Sequence, residues 1–356
     1  MVLHWFAGKI LIMPPSAQSR FFLTLFVLAL SFALTGQARA ELVWTPQSGW
    51  QVEGGALAGV SGKEAQGALE MMNKARTAEE NGHLMTAARY YKKAGKRYPN
   101  SIYAPEAQYH LGKVQLARKK YSKSFEAFQT VALRYPSTNH YDEIIGLQYS
   151  IASALLDGAR GRVFGIFPGF TNREKGIQYL ETLIAEAPYS DYAPLAMMSV
   201  AQGQAYLKNP EEAMDALDRM INSYPQSVLA PDAYLSLGKA HASLVEGAYY
   251  DQASTRDSIT YYEDFMILFP SDNNVALAEK GLTEMKEVLA DSKMKIADFY
   301  FFKRDNYKAA RVFYNEAITV YPDSEIAAKA KQRLIEVDAA VAKASEPAKK
   351  KRFFFF

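Results

Sequence analysis

Four residues form a pattern able to recognise a peptide. Met72 and Arg76 stand four apart, and Tyr109 and Lys113 repeat that spacing 37 residues later. Residues four apart share one face of a helix. An aromatic ring beside a cation suits an extended peptide ending in an aromatic side chain and a carboxylate. The same spacing also fits interhelix packing by Met72 and Tyr109 with solvated charges beside them, and both readings stand. Residues for covalent or metal chemistry are scarce. The five histidines are His4, His83, His110, His140 and His241, and none falls in HExxH or another metal-ligand spacing. Cysteine is absent, which excludes disulfides, thiol catalysis, cysteine-bound zinc and a lipid anchor on cysteine. The carboxylate pairs Glu79-Glu80 and Glu211-Glu212 are adjacent on helix surfaces or ends and read as solvated charge. Neither a Gly-rich phosphate loop nor a nucleophile elbow occurs. The expectation is a non-enzyme without cofactor or metal. The net charge of +3 is too small to point to a nucleic-acid partner.

The elements that would position these residues come from an internal repeat. Proline follows Tyr98, Tyr135, Ala187, Tyr224, Phe269 and Tyr321, at spacings of 37, 52, 37, 45 and 52 residues. Alignment on that proline gives four columns. Ala87, Ser124, Gly176, Ala213, Ser258 and Ala310 are all small; Tyr91, Phe128, Leu180, Leu217, Tyr262 and Tyr314 are all large. Ser101, Thr138, Ser190, Ser227, Asp272 and Ser324 read as helix N-caps. Ala107, Ile144, Ala196, Ala233, Ala278 and Ala330 are small except for Ile144. Proline stops one helix, the polar residue starts the next, and small residues let antiparallel helices approach. A single hairpin cannot bury its apolar face, so neighbours must stack. The predicted fold is all-α, an α-solenoid of about six tetratricopeptide-like hairpins plus a capping helix over residues 63–343.

The flanks read differently. Phe21 to Leu34 is an apolar run after Arg20, too short to span a bilayer, and Ala38-Arg39-Ala40 suits signal peptidase. Residues 1–40 are therefore expected to be a signal peptide, with Met13 opening a cleaner one than Met1. Residues 41–62 are expected to be a flexible Gly-rich leader carrying Trp44 and Trp50. Residues 344–356 are a basic-aromatic tail in which Lys350, Arg352, Phe353 and Phe356 could touch lipid headgroups or dock on protein. Two further clusters are partner-docking candidates. The insert at 158–172 carries Arg162, Phe164, Phe167 and Phe170, and either docks a partner or folds back. The run from Phe299 to Phe302 cannot face one core, because four consecutive side chains point all round a helix.

Leu111-Gly112, Tyr121, Phe128 and Pro136 fall where tetratricopeptide repeats place their Leu-Gly, aromatics and proline. Ile296-Ala297-Asp298-Phe299-Tyr300, Asn306-Tyr307-Lys308-Ala309-Ala310 and Tyr321-Pro322-Asp323-Ser324 resemble the C-terminal signature of the BamD-like family of outer-membrane assembly factors. SIYAPEAQYHLG from Ser101 to Gly112 and GRVFGIFPGF from Gly161 to Phe170 are similar to that family too, and the resemblance covers roughly residues 64–335. It implies a non-catalytic periplasmic scaffold, peripheral on the inner face of the outer membrane. Its partners would be the β-barrel insertase, docked at C-terminal repeats, and unfolded outer-membrane proteins, received in a groove of N-terminal repeats. Family members usually carry five hairpins and a lipidated cysteine, and this sequence departs from both. The alternative is a periplasmic repeat scaffold of the Tol–Pal or cell-division coordinator type, which shares the columns but not the insert.

Overall fold

The computed structural model describes residues 41–53, 63–163 and 167–345. The chain divides after Val131 into two compact units. The first holds strands β1 (Glu41–Thr45) and β2 (Gly49–Glu53), then helices α1 (Lys63–Glu80), α2 (Leu84–Arg97), α3 (Ala104–Ala117) and α4 (Tyr121–Arg134), whose last turn crosses the boundary. The second holds α5 (Tyr141–Leu156), a small ladder of β3 (Arg162–Val163) with β4 (Phe167–Pro168), α6 (Arg173–Glu186), α7 (Tyr192–Tyr206) and α8 (Pro210–Ser223). It continues through α9 (Ala230–Ser243), α10 (Ala253–Leu268), the 30-residue α11 (Val275–Arg304), α12 (Tyr307–Val320) and α13 (Glu325–Ser345). Apart from the two small ladders the fold is all-α. Among the described residues, the predicted six hairpins and terminal helix form.

Every member of the small and large columns is buried, from Ala87 and Tyr91 in the first hairpin to Ala310 and Tyr314 in the last. Alternating size is what lets paired helices close: at Gly176 an added Cβ would stand 2.8 Å from the Ala152 carbonyl oxygen on α5. Ile144, the odd large residue in its column, is buried as well.

Two backbone turns repeat with the columns. Between hairpins, the N–H two residues after each proline donates to the carbonyl just before it, as Ser101 does to Tyr98, at 3.0 to 3.3 Å in all six cases. Proline at the second position of such a turn has its φ already set. The polar residues therefore shape this turn rather than cap the helix as expected. Ser227 and Asp272 accept from the N–H two residues on, and only Ser324, accepting from Ala327 at 3.0 Å, caps in the usual sense among the described members. Within hairpins, Gly82, Lys119, Lys208 and Asp305 have positive φ, each 17 residues before its proline. Lys119 N–H donates to Leu116 and Lys120 N–H to Gln115, and Lys208 and Asn209 repeat the pair. This left-handed C-cap satisfies carbonyls that a helix end otherwise leaves bare.

Residues 41–53, expected to lie in a flexible leader, form an antiparallel β-hairpin in which Trp44 pairs directly with Trp50. Both rings are on one face, and that face packs on the first helices: Trp50 is buried and Trp44 partly so. Burying two indoles outweighs the conformational freedom that a leader would keep.

Candidate functional site

In the first unit, the hairpin roofs a polar cluster on α1, α2 and α3. Helical spacing puts Arg76, Glu79 and Glu80 within one turn of α1, and Glu106 and His110 four apart on α3. The Arg76 guanidinium lies 4.3 Å from the Trp44 ring centroid and pairs with Glu79 at 3.6 Å and Glu80 at 3.3 Å. Tyr91 of α2 donates its hydroxyl to Glu79 at 2.7 Å. Its ring stacks on His110, centroids 5.2 Å apart, while Trp50 meets the same imidazole edge-on at 5.4 Å. His110 Nε2 is 3.1 Å from Glu106. Burial, and then the hydrogen bond to Glu79, push the Tyr91 hydroxyl well above its ordinary pKa, so it stays a donor. The Trp50 backbone N–H donates to Asn73 Oδ1 at 3.0 Å.

Two of the four groove candidates, Met72 and Tyr109, are buried. Met72 is wholly buried on the Ala68–Met72–Ala75 stripe of α1, a correction to its reading as a groove residue. That stripe recurs every three to four residues and so faces the neighbouring helix. Tyr109 is also buried, against His110 and Phe128, which favours its packing reading. Lys113 remains exposed and donates to the Tyr109 hydroxyl at 3.0 Å. Arg76 is held between two carboxylates and Trp44. Sequence reasoning missed His110, Glu106 and Trp50; the available signals were the i, i+4 pair Glu106/His110 and the alternation of Leu42, Trp44, Trp50 and Val52 around a turn.

In the second unit, Arg162 sits on β3, and Phe167 and Phe170 are exposed, Phe170 almost completely. Phe164 lies outside the described residues, as do Lys350, Arg352, Phe353 and Phe356. At the end of α11 the phenylalanine run divides. Tyr300 stacks flat on Phe313 and Phe301 packs on Tyr307, so these two face α12. Phe299 and Phe302 are about half exposed, at 46% and 52%. Arg304 lies 5.3 Å from the Phe299 ring and Arg333 of α13 lies 4.9 Å from the Phe302 ring. The result is two half-bare aromatic rings edged by two guanidiniums, a combination common in protein interfaces.

The repeated hairpins define a tetratricopeptide-repeat protein, and that repeat matches at residues 71–101 and 106–138. The family model described as outer membrane lipoprotein, YfiO, matches residues 171–351, just over half of the chain. The chain belongs to this family, which is BamD-like. It is 27% identical over 152 residues to the outer membrane protein assembly factor BamD of Xylella fastidiosa strain 9a5c, covering 40% of this chain and 52% of that one. The protein of the same name from strain Temecula1 is 26% identical over the same shares. The chain thus spans about half the length of the curated relatives it matches. A tetratricopeptide repeat protein from Parabacteroides merdae superposes loosely over 77% of this chain and 99% of its own, at 15% identity and a TM-score of 0.30.

Proposed function

We propose that this protein is a non-catalytic scaffold of outer-membrane β-barrel protein assembly, working in the envelope on the periplasmic side of the outer membrane. The observation that carries this reading is the family match across 171–351, together with two relatives named as assembly factors. That stretch includes the half-exposed Phe299 and Phe302 with Arg304 and Arg333 beside them, and these form the docking surface for the barrel insertase. Arg162, Phe164, Phe167 and Phe170 of the insert provide a second contact. Unfolded barrel proteins are received on the first unit. The tail with Lys350, Arg352, Phe353 and Phe356 gives peripheral attachment to lipid.

A crosslinked pull-down from the native envelope, with and without residues 349–356, tests this. Recovery of the insertase in both cases, with membrane attachment lost on truncation, is the expected result. Recovery of Tol–Pal components instead would replace the assembly reading with the other scaffold type.

A further inference from the structure

We propose that the face of α1 and α3 beneath the β1–β2 hairpin is a binding site for an aromatic-bearing β-strand of another polypeptide, and that the hairpin is its resident, displaceable occupant. The hairpin shows what this face accepts. It takes one indole edge-on to His110, a second under the Arg76 guanidinium, and a strand N–H on Asn73 Oδ1. None of these contacts is specific to residues 41–53. A strand with aromatic side chains on one face presents the same groups, and strands that alternate in this way and carry aromatic girdles are those of β-barrel membrane proteins. The proposal deepens the scaffold reading and rests on it for the nature of the client.

Two features mark the occupant as replaceable. First, the fit is incomplete. Trp50 Nε1 is buried without a hydrogen bond. A buried donor left unmade is costly, so a segment bringing an acceptor oxygen to this spot competes on favourable terms. Second, one hydrogen bond, from Trp50 to Asn73, ties the hairpin to the helices among the described residues. A two-stranded hairpin is marginal alone in water. It therefore persists through the same ring contacts that an incoming strand would take over.

The absence of native cysteine makes a clean lock possible. A Cβ at residue 49 would lie 3.2 Å from Asn73 Cγ, within disulfide reach, so Gly49→Cys with Asn73→Cys pins the hairpin down when oxidised. Comparing oxidised and reduced forms of one protein cancels any strain at position 49. The probe is a labelled synthetic peptide of residues 41–53 carrying Trp44→Phe and Trp50→Phe. The full chain carries Trp5→Phe, leaving Trp44 and Trp50 as its tryptophans. Expected results are binding by the reduced chain with a red shift of tryptophan emission, and binding at least about tenfold weaker when oxidised, because the resident strand then cannot leave. Trp50→Ala in the native background should bind at least about tenfold more tightly than the native chain. Equal binding by oxidised and reduced forms, binding by neither, or saturation without an emission shift each overturns the proposal. Those outcomes leave the scaffold reading intact, whereas failure to recover the insertase sinks that reading and leaves a strand-binding site without its client.

Discussion

The hydroxyl of Ser258 donates to the carbonyl oxygen of Gly238 across 2.8 Å, tying α10 to α9. Ser124 and Gly112 make the same bond between α4 and α3. One turn beyond each serine, an aromatic ring fills the space above the glycine. A Cβ on Gly238 would stand 2.7 Å from the Tyr262 ring. Gly238→Ala should therefore cost about 1–3 kcal/mol through forced repacking. Ser258→Ala, which deletes a hydrogen bond and leaves the shape intact, should cost about 0.5–1.5 kcal/mol. Urea unfolding of the two variants checks the order; a Ser258→Ala loss larger than that of Gly238→Ala would refute the space argument.

Lys208 holds a left-handed conformation, φ 67°, where glycine has no steric penalty. Lys208→Gly should raise stability by about 0.5–1 kcal/mol despite the added freedom of the unfolded chain. Lys208→Val should lower it by more, since a β-branched residue resists this region most strongly. Thermal melts of the pair suffice, and a destabilised Lys208→Gly would count against the turn as drawn.

Three tyrosines donate to carboxylates: Tyr91 to Glu79, Tyr261 to Asp218 and Tyr314 to Asp298. Burial first, and then the hydrogen bond, hold all three hydroxyls above their ordinary pKa. The unfolded chain loses these protons near pH ~10, while the native chain keeps them. Native protein then binds more protons, so stability is full below that pH and falls as pH rises through it. For Tyr91 the slope approaches about 1.4 kcal/mol per pH unit. Alkaline unfolding, followed by tyrosinate absorbance, should be less steep in Tyr91→Phe than in the native chain.

Phe299 and Phe302 are half exposed, so replacing them leaves α11 folded. If this end docks the insertase, Phe299→Ala with Phe302→Ala should cut insertase capture at least about tenfold, the scale of losing an aromatic anchor. Far-ultraviolet circular dichroism should be unchanged. Full capture by the double variant would move the docking surface elsewhere.

Helix positions were legible because burial forces a period: small and large residues recur at fixed distances from each proline, and the structure buries every one. The left-handed turn was not legible, since Gly82, Lys119, Lys208 and Asp305 share a backbone state but not one common side-chain type. That state is imposed by the end of the helix rather than by the residue. The serine and threonine column was visible but misassigned, because a hydroxyl that shapes a turn and one that caps a helix occupy similar sequence positions. At the site, helical spacing put Lys113 beside Tyr109, to whose hydroxyl it donates. It could not reveal that Met72 faces a neighbouring helix, or that a strand hairpin covers Arg76. The leader's glycines suggested freedom, while the paired tryptophans across a short turn carried the opposite information.

Three hairpins of the second unit exceed the 37-residue unit, and each excess lies between the start of its first helix and the start of its second. The added lengths bring aromatic rings into water: Phe167 and Phe170, Tyr249 and Tyr250, Phe299 and Phe302. Tyr206, on a hairpin of standard length, is exposed as well. The third addition also builds a joint, since Tyr300 and Phe301 pack on α12 from the same stretch that bares Phe299 and Phe302. Length added to a stacked helix thus serves two sides at once, extending the joint to the next helix while turning other rings outward.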